Sequence, residues 1–206
     1  LTLSLAVGEG VLIPRPDTEL LCETAAARLA ERSGAQVLDL CAGSGCVGLG
    51  IASLCPQSGL HVTAAELSED ALPYLRENLR RYPQLDVRAV RADVLTDAGL
   101  FPAEGFDAIV SNPPYIPSGE LPALQREVQR EPAMALDGGG DGLMFYRAIA
   151  GDWLSRLKTG GFLAVEVGAG QAEAVAALFS AAGLTEVRTL RDLAGICRVV
   201  IGVKGG

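Results

Sequence analysis

Residues 111–116 read SNPPYI and follow FDAIV, an apolar run at 106–110. A buried strand that ends in an Asn and a Pro-Pro step concentrates hydrogen-bond acceptors at one point. Asn112 offers a carbonyl acceptor and an NH2 donor. Pro113 and Pro114 fix φ and bring no backbone N–H, so the carbonyls around them are free to accept from a ligand. Tyr115 adds a flat face on which a planar group can pack. The set suits a planar –NH2 compound, either an amide or the exocyclic amine of a base. A Pro-rich turn is the plainer reading, and the position after a strand weakens it.

A second cluster lies upstream. DLCAGSGC at 39–46 follows one strand-like run and opens a helical one. Gly43 and Gly45 permit positive φ and close ligand approach, and the helix start presents unpaired N–H groups. GSGCVG at 43–48 also fits the G-x-G-x-x-G dinucleotide pattern, which alone is a weak signal. Glu66, at the next strand end, can accept from both hydroxyls of a ribose in either reading. Asp93 ends a third strand, where a carboxylate can accept from an adenine amino group; a solvated loop Asp is the alternative. The fourth strand discriminates. A nicotinamide enzyme gains nothing obvious from N-P-P-Y, whereas a methyltransferase needs an acceptor site beside its sulfonium.

These residues need a frame that brings strand ends together. Period-two alternation of Leu1, Leu3, Leu5 and Val7, a turn at Gly8-Glu9-Gly10 and an apolar run at 11–13 predict a β-hairpin, broken by Pro14-Arg15-Pro16. Asp17 or Thr18 can cap a helix running to about Glu31. Strands are expected at residues 36–40, 60–65, 86–91, 106–111, 161–167, 186–190 and 197–203, and helices at 46–54, 70–81, 143–157 and 172–181. This alternation implies a seven-stranded, mostly parallel sheet with helices on both faces. Ligands in such α/β folds sit beyond the carboxyl ends of the strands, where the motifs cluster. Only a short connection at Gly195 separates the last two strands, so the final strand should run antiparallel, the pattern of class I methyltransferases. The glycines at 138–142 read as a loop into a helix, either a lid or a plain connection.

Composition removes several function classes. Of the 206 residues 49% are hydrophobic and 20% charged, which fits one globular α/β domain. The net charge is −8 and the pI about 4.7. The lysines are Lys158 and Lys204, and no basic run exceeds Arg80-Arg81, which argues against stable nucleic-acid binding. Five cysteines without a C-x-x-C pair suggest neither disulfides nor a metal site. The single histidine, His61, begins a strand and is badly placed for a Ser-His or Cys-His mechanism. No apolar run reaches the length of a membrane span. A cytoplasmic monomer is expected.

On these residues the chain resembles the peptide chain release factor glutamine N5-methyltransferases. The matching stretches are GVLIPRPDTEL (10–20), VLDLCAGSGCVGL (37–49), AAELSEDAL (64–72), FDAIVSNPPYI (106–116), EPAMALDGGGDGLMFYRAI (131–149) and GGFLAVEVGAGQ (160–171). They cover most of the chain in family order. I-P-R-P-x-T-E is specific to the group, whereas N-P-P-Y is shared with adenine-N6 and other amine methyltransferases. The resemblance implies S-adenosylmethionine as methyl donor and the Gly-Gly-Gln loop of a release factor as protein substrate. It implies a cofactor site of Asp39, Cys41, Ala42, Gly43, Ser44, Gly45, Glu66, Leu67, Asp93, Val94 and Asn112. Cys41 to Gly45 would wrap the methionine end, Glu66 hold the ribose, and Asp93 with Val94 border the adenine. Asn112, Pro113, Pro114 and Tyr115 would hold the substrate glutamine; Arg15 and Glu19 would line its mouth or form a structural ion pair. Asn112, Pro113 and Tyr115 are the expected catalytic residues. Glu66 stands where Asp is commoner, and both can accept from two hydroxyls. Family members also carry a helical docking domain ahead of the hairpin, absent from this sequence. The expected division is therefore residues 1–16 as a β-hairpin linker and 17–206 as the catalytic domain. The competing readings are an adenine-N6 nucleic-acid methyltransferase, a methyltransferase acting on another protein glutamine, a non-catalytic cofactor-binding module, and a nicotinamide dehydrogenase.

Overall fold

The computed structural model describes residues 2–206 apart from Gln57. Seven strands form one sheet: β1 (Gln36–Leu40), β2 (His61–Glu66), β3 (Val87–Arg91), β4 (Phe106–Ser111), β5 (Leu157–Glu166), β6 (Leu184–Arg191) and β7 (Cys197–Lys204). Their spatial order is β3-β2-β1-β4-β5-β7-β6. β7 alone is reversed, antiparallel to both β5 and β6. The five residues 192–196 between β6 and β7 leave no room for a helical crossover, so an antiparallel return is the available solution. Asp192 Oδ1 closes that turn by accepting from Ala194 and Ile196 N–H, both at 2.9 Å.

Among the described residues five α-helices cover the sheet: α1 (Thr18–Leu29), α2 (Cys46–Leu54), α3 (Ala71–Arg81), α4 (Met144–Gly151) and α5 (Ala172–Ala181). The central strands β1, β4 and β5 are buried on both sides, and their successive residues divide between two cores. Val37, Ala108, Val110, Phe162 and Ala164 face α1 and α2, meeting Leu21, Ala25, Val47 and Ile51. Leu38, Leu40, Ile109, Leu163 and Val165 face α4 and α5, meeting Tyr146, Ile149, Trp153, Val175 and Phe179. This is the period-two geometry of a strand applied to continuous apolar runs. In α1 the buried positions Thr18, Leu21, Cys22, Ala25, Ala26 and Leu29 form one helical stripe. No helix among the described residues is long and apolar enough to cross a membrane.

Three expectations are corrected. The N-terminal hairpin does not form: residues 2–13 contain no strand, and Leu1 lies outside the described residues. Apart from a turn in which Val11 N–H donates to Gly8 O, the backbone there bonds to side chains at the C-terminal end of α3. Ala6 N–H donates to Asn78 Oδ1 at 2.6 Å, Asn78 Nδ2 donates to Ala6 O at 3.0 Å, and Ser4 N–H donates to the Tyr82 hydroxyl at 2.6 Å. Asn78 and Tyr82 thus satisfy groups that a ladder would otherwise have paired. The linker of residues 1–16 is an irregular strap, not a β-hairpin. Second, Asp17 precedes α1 without a side-chain cap bond; its carboxylate instead pairs with Arg198 at 2.9 Å. Third, the helix expected over 143–157 stops at Gly151, continues as a 3₁₀ turn over Asp152–Arg156, and gives way to β5 at Leu157.

Candidate active site

The carboxyl ends of β1 and β4, neighbours whose crossovers run in opposite directions, open on a cavity of about 270 Å³. Cys41, Ala42, Gly43, Ser44, Glu66, Leu67, Asp93, Val94, Asn112 and Pro114 all line it, so ten of the anticipated residues meet there. Asp39, Gly45, Pro113 and Tyr115 stand behind that surface, and Arg15 and Glu19 line a smaller adjoining cavity. Pro14, Thr18 and Cys46 form the wall common to both.

The glycine loop is held by carboxylates on either side. Cys41, Gly43 and Gly45 have positive φ (57°, 55° and 82°), which turns the chain from β1 into α2. Asp39 is fully buried; its Oδ2 accepts from Gly48 N–H at 2.8 Å, while its Oδ1 has no partner. Burial pushes this carboxyl up to about 7, against the Gly48 bond, which pulls it down. Glu66 is fixed through both oxygens: Oε2 accepts from Gly43 N–H and Oε1 from Ser68 N–H, each at 2.7 Å. A carboxylate carries about four acceptor sites, so two remain for a ligand. Asp93 Oδ1 accepts from Leu95 N–H at 2.8 Å. The next residue, Val94, is held from below by Trp153, whose indole N–H donates to the Val94 carbonyl at 2.7 Å inside the core.

The opposite wall is organised around Asn112. Its Nδ2 donates to Thr18 Oγ1, 3.2 Å away in the first turn of α1. Ser111 Oγ, just before it, donates to Leu40 O at 2.7 Å and ties the end of β4 to β1. The Tyr115 ring packs over Gly168, where a Cβ would lie 3.0 Å from Tyr115 Cδ2. Burial raises the Tyr115 phenol above its ordinary pKa. The Tyr115 carbonyl accepts from Gln171 Nε2 at 2.8 Å. The glycine loop at 138–142 braces this stretch: Gly138 N–H donates to Ile116 O at 2.8 Å, and a Cβ on Gly138 would fall 2.7 Å from Tyr115 Cα. It is a packed connection that needs glycine for contact with the N-P-P-Y backbone.

Arg15 reaches across to Glu131, with Nη2 2.6 Å from Oε1. The pair joins the strap before α1 to the run of 3₁₀ turns at 118–135, whose Pro132, Met134 and Ala135 complete the cavity wall. His61 lies away from the site, its Nδ1 2.5 Å from Asp86 Oδ2 at the surface.

The sequence reading missed Thr18, Pro132, Met134, Ala135 and Phe145 as cavity residues, and Glu166 beside Asn112. The EPAMAL stretch marked 132–135 without assigning it a place. Thr18 and Glu166 looked like a helix start and a strand residue, and nothing local signals that they converge on Asn112.

A family model described as Methyltransferase small domain matches residues 16–148. A release factor glutamine methyltransferase from Caulobacter vibrioides is 44% identical over 97% of this chain and 68% of its own length. A protein of the same description from Gloeobacter violaceus is 42% identical over 97% of this chain and 69% of its own. Among solved structures, a methyltransferase from Pyrococcus furiosus superimposes with a TM-score of 0.71 at 20% identity, covering 99% of this chain and 90% of that one, which speaks for the fold alone. On the strength of the relatives, the chain belongs to the release factor glutamine methyltransferase family.

Proposed function

We propose that this chain methylates the side-chain nitrogen of the glutamine in a release factor's Gly-Gly-Gln loop, using S-adenosylmethionine. The observation that carries the reading is the Asn112 amide, whose NH2 donates to Thr18 within the wall. With the NH2 so engaged, Oδ1 would be the atom left to face the cavity as an acceptor. An acceptor at that point suits an amide N–H and gives a carboxylate or an ether nothing to bind.

The residues present fit the methyl donor. The Gly43 face is open, a Cβ there meeting only Val11 Cγ2 at 3.9 Å. Glu66 keeps two acceptor sites for a diol, and the run from Asp93 to Leu95 offers a pocket edge at the far end. S-adenosylmethionine, when bound, supplies a methyl group on a positively charged sulfur that leaves as a neutral thioether.

A glutamine amide nitrogen is a poor nucleophile because its lone pair is delocalised into the carbonyl. Asn112 Oδ1 and the Pro113 carbonyl would accept its two N–H bonds and aim the nitrogen for in-line attack, so that positioning does most of the work. The same two oxygens stabilise the positive charge that develops on nitrogen, the inverse of an oxyanion hole. The extra proton then leaves to water. Tyr115 supports this arrangement by fixing the backbone beside it.

Incubating a release factor with the chain and S-adenosylmethionine, followed by peptide mass spectrometry, tests the reading. One methyl mass on the Gly-Gly-Gln glutamine is the expected result. A methyl on any other residue, or none with the donor demonstrably bound, overturns it.

A further inference from the structure

Glu166 ends β5 with only 3% of its surface exposed, and the proposed chemistry gives it no part. Ser111 pairs with Val165 across β4 and β5, so the next residues outward, Asn112 and Glu166, are neighbours. Thr18, also 3% exposed, sits with them at the start of α1. Glu166 Oε2 is buried and has no hydrogen-bond partner. Glu166 is absent from the cavity lining, whereas Thr18 and Asn112 line it. An acid so placed cannot meet the substrate. It can act on the groups that do.

We propose that Glu166 is a positioning residue: with Thr18 it takes up both N–H bonds of the Asn112 amide and so fixes Oδ1 toward the cavity. The bonding order follows from donor counts. Thr18 Oγ1 accepts from Asn112 Nδ2, which leaves its one hydroxyl hydrogen free for Glu166 at the end of the neighbouring strand. In this arrangement the second Asn112 N–H goes to the same carboxylate, whose Oε2 lies buried and unpaired. An ionised carboxylate only accepts, so the amide must present nitrogen to it and oxygen to the cavity. If the amide turned over, its carbonyl would face the carboxylate.

The arrangement depends on charge. Burial pushes the Glu166 carboxyl up to about 6, while the bonds from Thr18 and Asn112 and the Arg198 guanidinium pull it down and Asp17 pushes it up. Arg198 is itself shared between Asp17 at 2.9 Å and Asp192 at 3.0 Å. Tyr115, Tyr146, Cys22 and Cys46 also feel Glu166, and burial holds each of them in its neutral form. Glu166 is therefore the group in this cluster that titrates just below neutrality. Once protonated it offers a donor, the amide loses its reason to face one way, and the acceptor in the cavity is lost. This inference rests on the methyl-transfer reading for its effect on rate, but not for its geometry.

Two measurements test it separately. In proton–nitrogen correlation spectra of the 15N-labelled chain, the Asn112 side-chain NH2 pair, identified by its loss in Asn112→Ala, should titrate with a midpoint near pH 6. In Glu166→Gln that titration should vanish. Asn112 signals that stay flat between pH 5 and 8, or titrate alike in Glu166→Gln, overturn the proposal. In the methyl-transfer assay, Glu166→Gln should lower kcat by about 10- to 100-fold, the range for groups that orient a reacting one. It should also abolish the acid limb and leave the donor's Kd unchanged. An unaltered kcat and pH profile likewise overturn it. A wild-type chain that leaves the release factor unmethylated counts against the functional reading alone, because the spectra decide the geometry without turnover.

Discussion

On the glycine-loop side of the cavity, backbone orients the acids: Gly43, Ser68 and Leu95 N–H groups bond Glu66 and Asp93, and none of these three lies more than 23 residues from its acceptor, while the longer reaches, Asn78 to the Ser44 carbonyl and Trp153 to the Val94 carbonyl, support the loop backbone. On the Asn112 side, the partners come from across the chain. Thr18 is 94 residues away, Gln171 reaches the Tyr115 carbonyl from 56, and Arg15 reaches Glu131 from 116. The first side is a local motif that folds with its own strand ends. The second exists only when α1, β4 and β5 have assembled. Substitutions on the first side should therefore act mainly on ligand affinity, and those on the second mainly on turnover.

Asn112→Ala gives the largest test of that division. It should lower kcat by roughly 10²-fold or more, as loss of one oriented hydrogen-bonding group does elsewhere. Binding of S-adenosylmethionine, followed by calorimetry, should change little. A collapse of donor affinity with kcat intact would reverse the roles of the two sides. Glu66→Ala is the complement. It removes charged acceptors worth about 1.5–3 kcal/mol, so Kd for the donor should rise by roughly 10- to 100-fold. At saturating donor, kcat should stay near that of the wild type.

This same division explains what could be read from the residues alone. Loop 41–45, Glu66 and Asp93 were legible because each follows an apolar run and owes its place to its own strand. The sheet was legible for the same reason, and β7 followed from the short connection at Gly195. The strap at 2–13 was not, because its alternation of apolar residues resembles a hairpin while its backbone bonds go to Asn78 and Tyr82, more than 70 residues on. Helix α4 was read too long because nothing in FYRAIAGDWLSRL marks Gly151 as the end except one glycine. Thr18 and Glu166 escaped notice because their meaning lies in a meeting of three elements.

The buried acid beneath the glycine loop gives a pH test of smaller size. With its folded pKa raised to about 7, above the ordinary 3.8, Asp39 binds its proton more tightly in the native state. Its contribution to stability is complete below the unfolded value and is lost as pH rises through about 7. Glu166, raised to about 6, acts in the same direction slightly earlier. Between pH 6 and 8 Asp39 should cost the fold about 1.4 kcal/mol, since one unit of pKa is worth about that much. That corresponds to a fall in Tm of roughly 3–5 °C for a chain of this size. Asp39→Asn, which keeps an acceptor for Gly48 N–H, should flatten the Tm profile over that interval. An unchanged slope in the variant would locate the titration elsewhere.

The smallest effect concerns Arg15, which can serve either as a substrate contact or as a brace. Its Glu131 partner is largely buried, at 8% exposure against 38% for Arg15. Glu131 Oε2 has no hydrogen-bond partner. Removing the guanidinium would leave that carboxylate buried and unpaired in a wall whose next residues, Pro132, Met134 and Ala135, line the cavity. As a brace, Arg15→Ala should lower Tm by about 1–3 °C, consistent with a partly exposed ion pair worth up to about 1 kcal/mol. The cavity wall would loosen and donor affinity weaken by a few-fold, with KM for the release factor unchanged. Exchanging the charges, Arg15→Glu with Glu131→Arg, should restore most of the lost Tm, because a brace needs the pair and not its polarity. A substrate contact predicts the opposite: a raised KM for the release factor, an unaltered Tm, and no rescue by the exchange. The two outcomes place Arg15 on one side of the cavity's division or outside it, in the frame that holds both walls together.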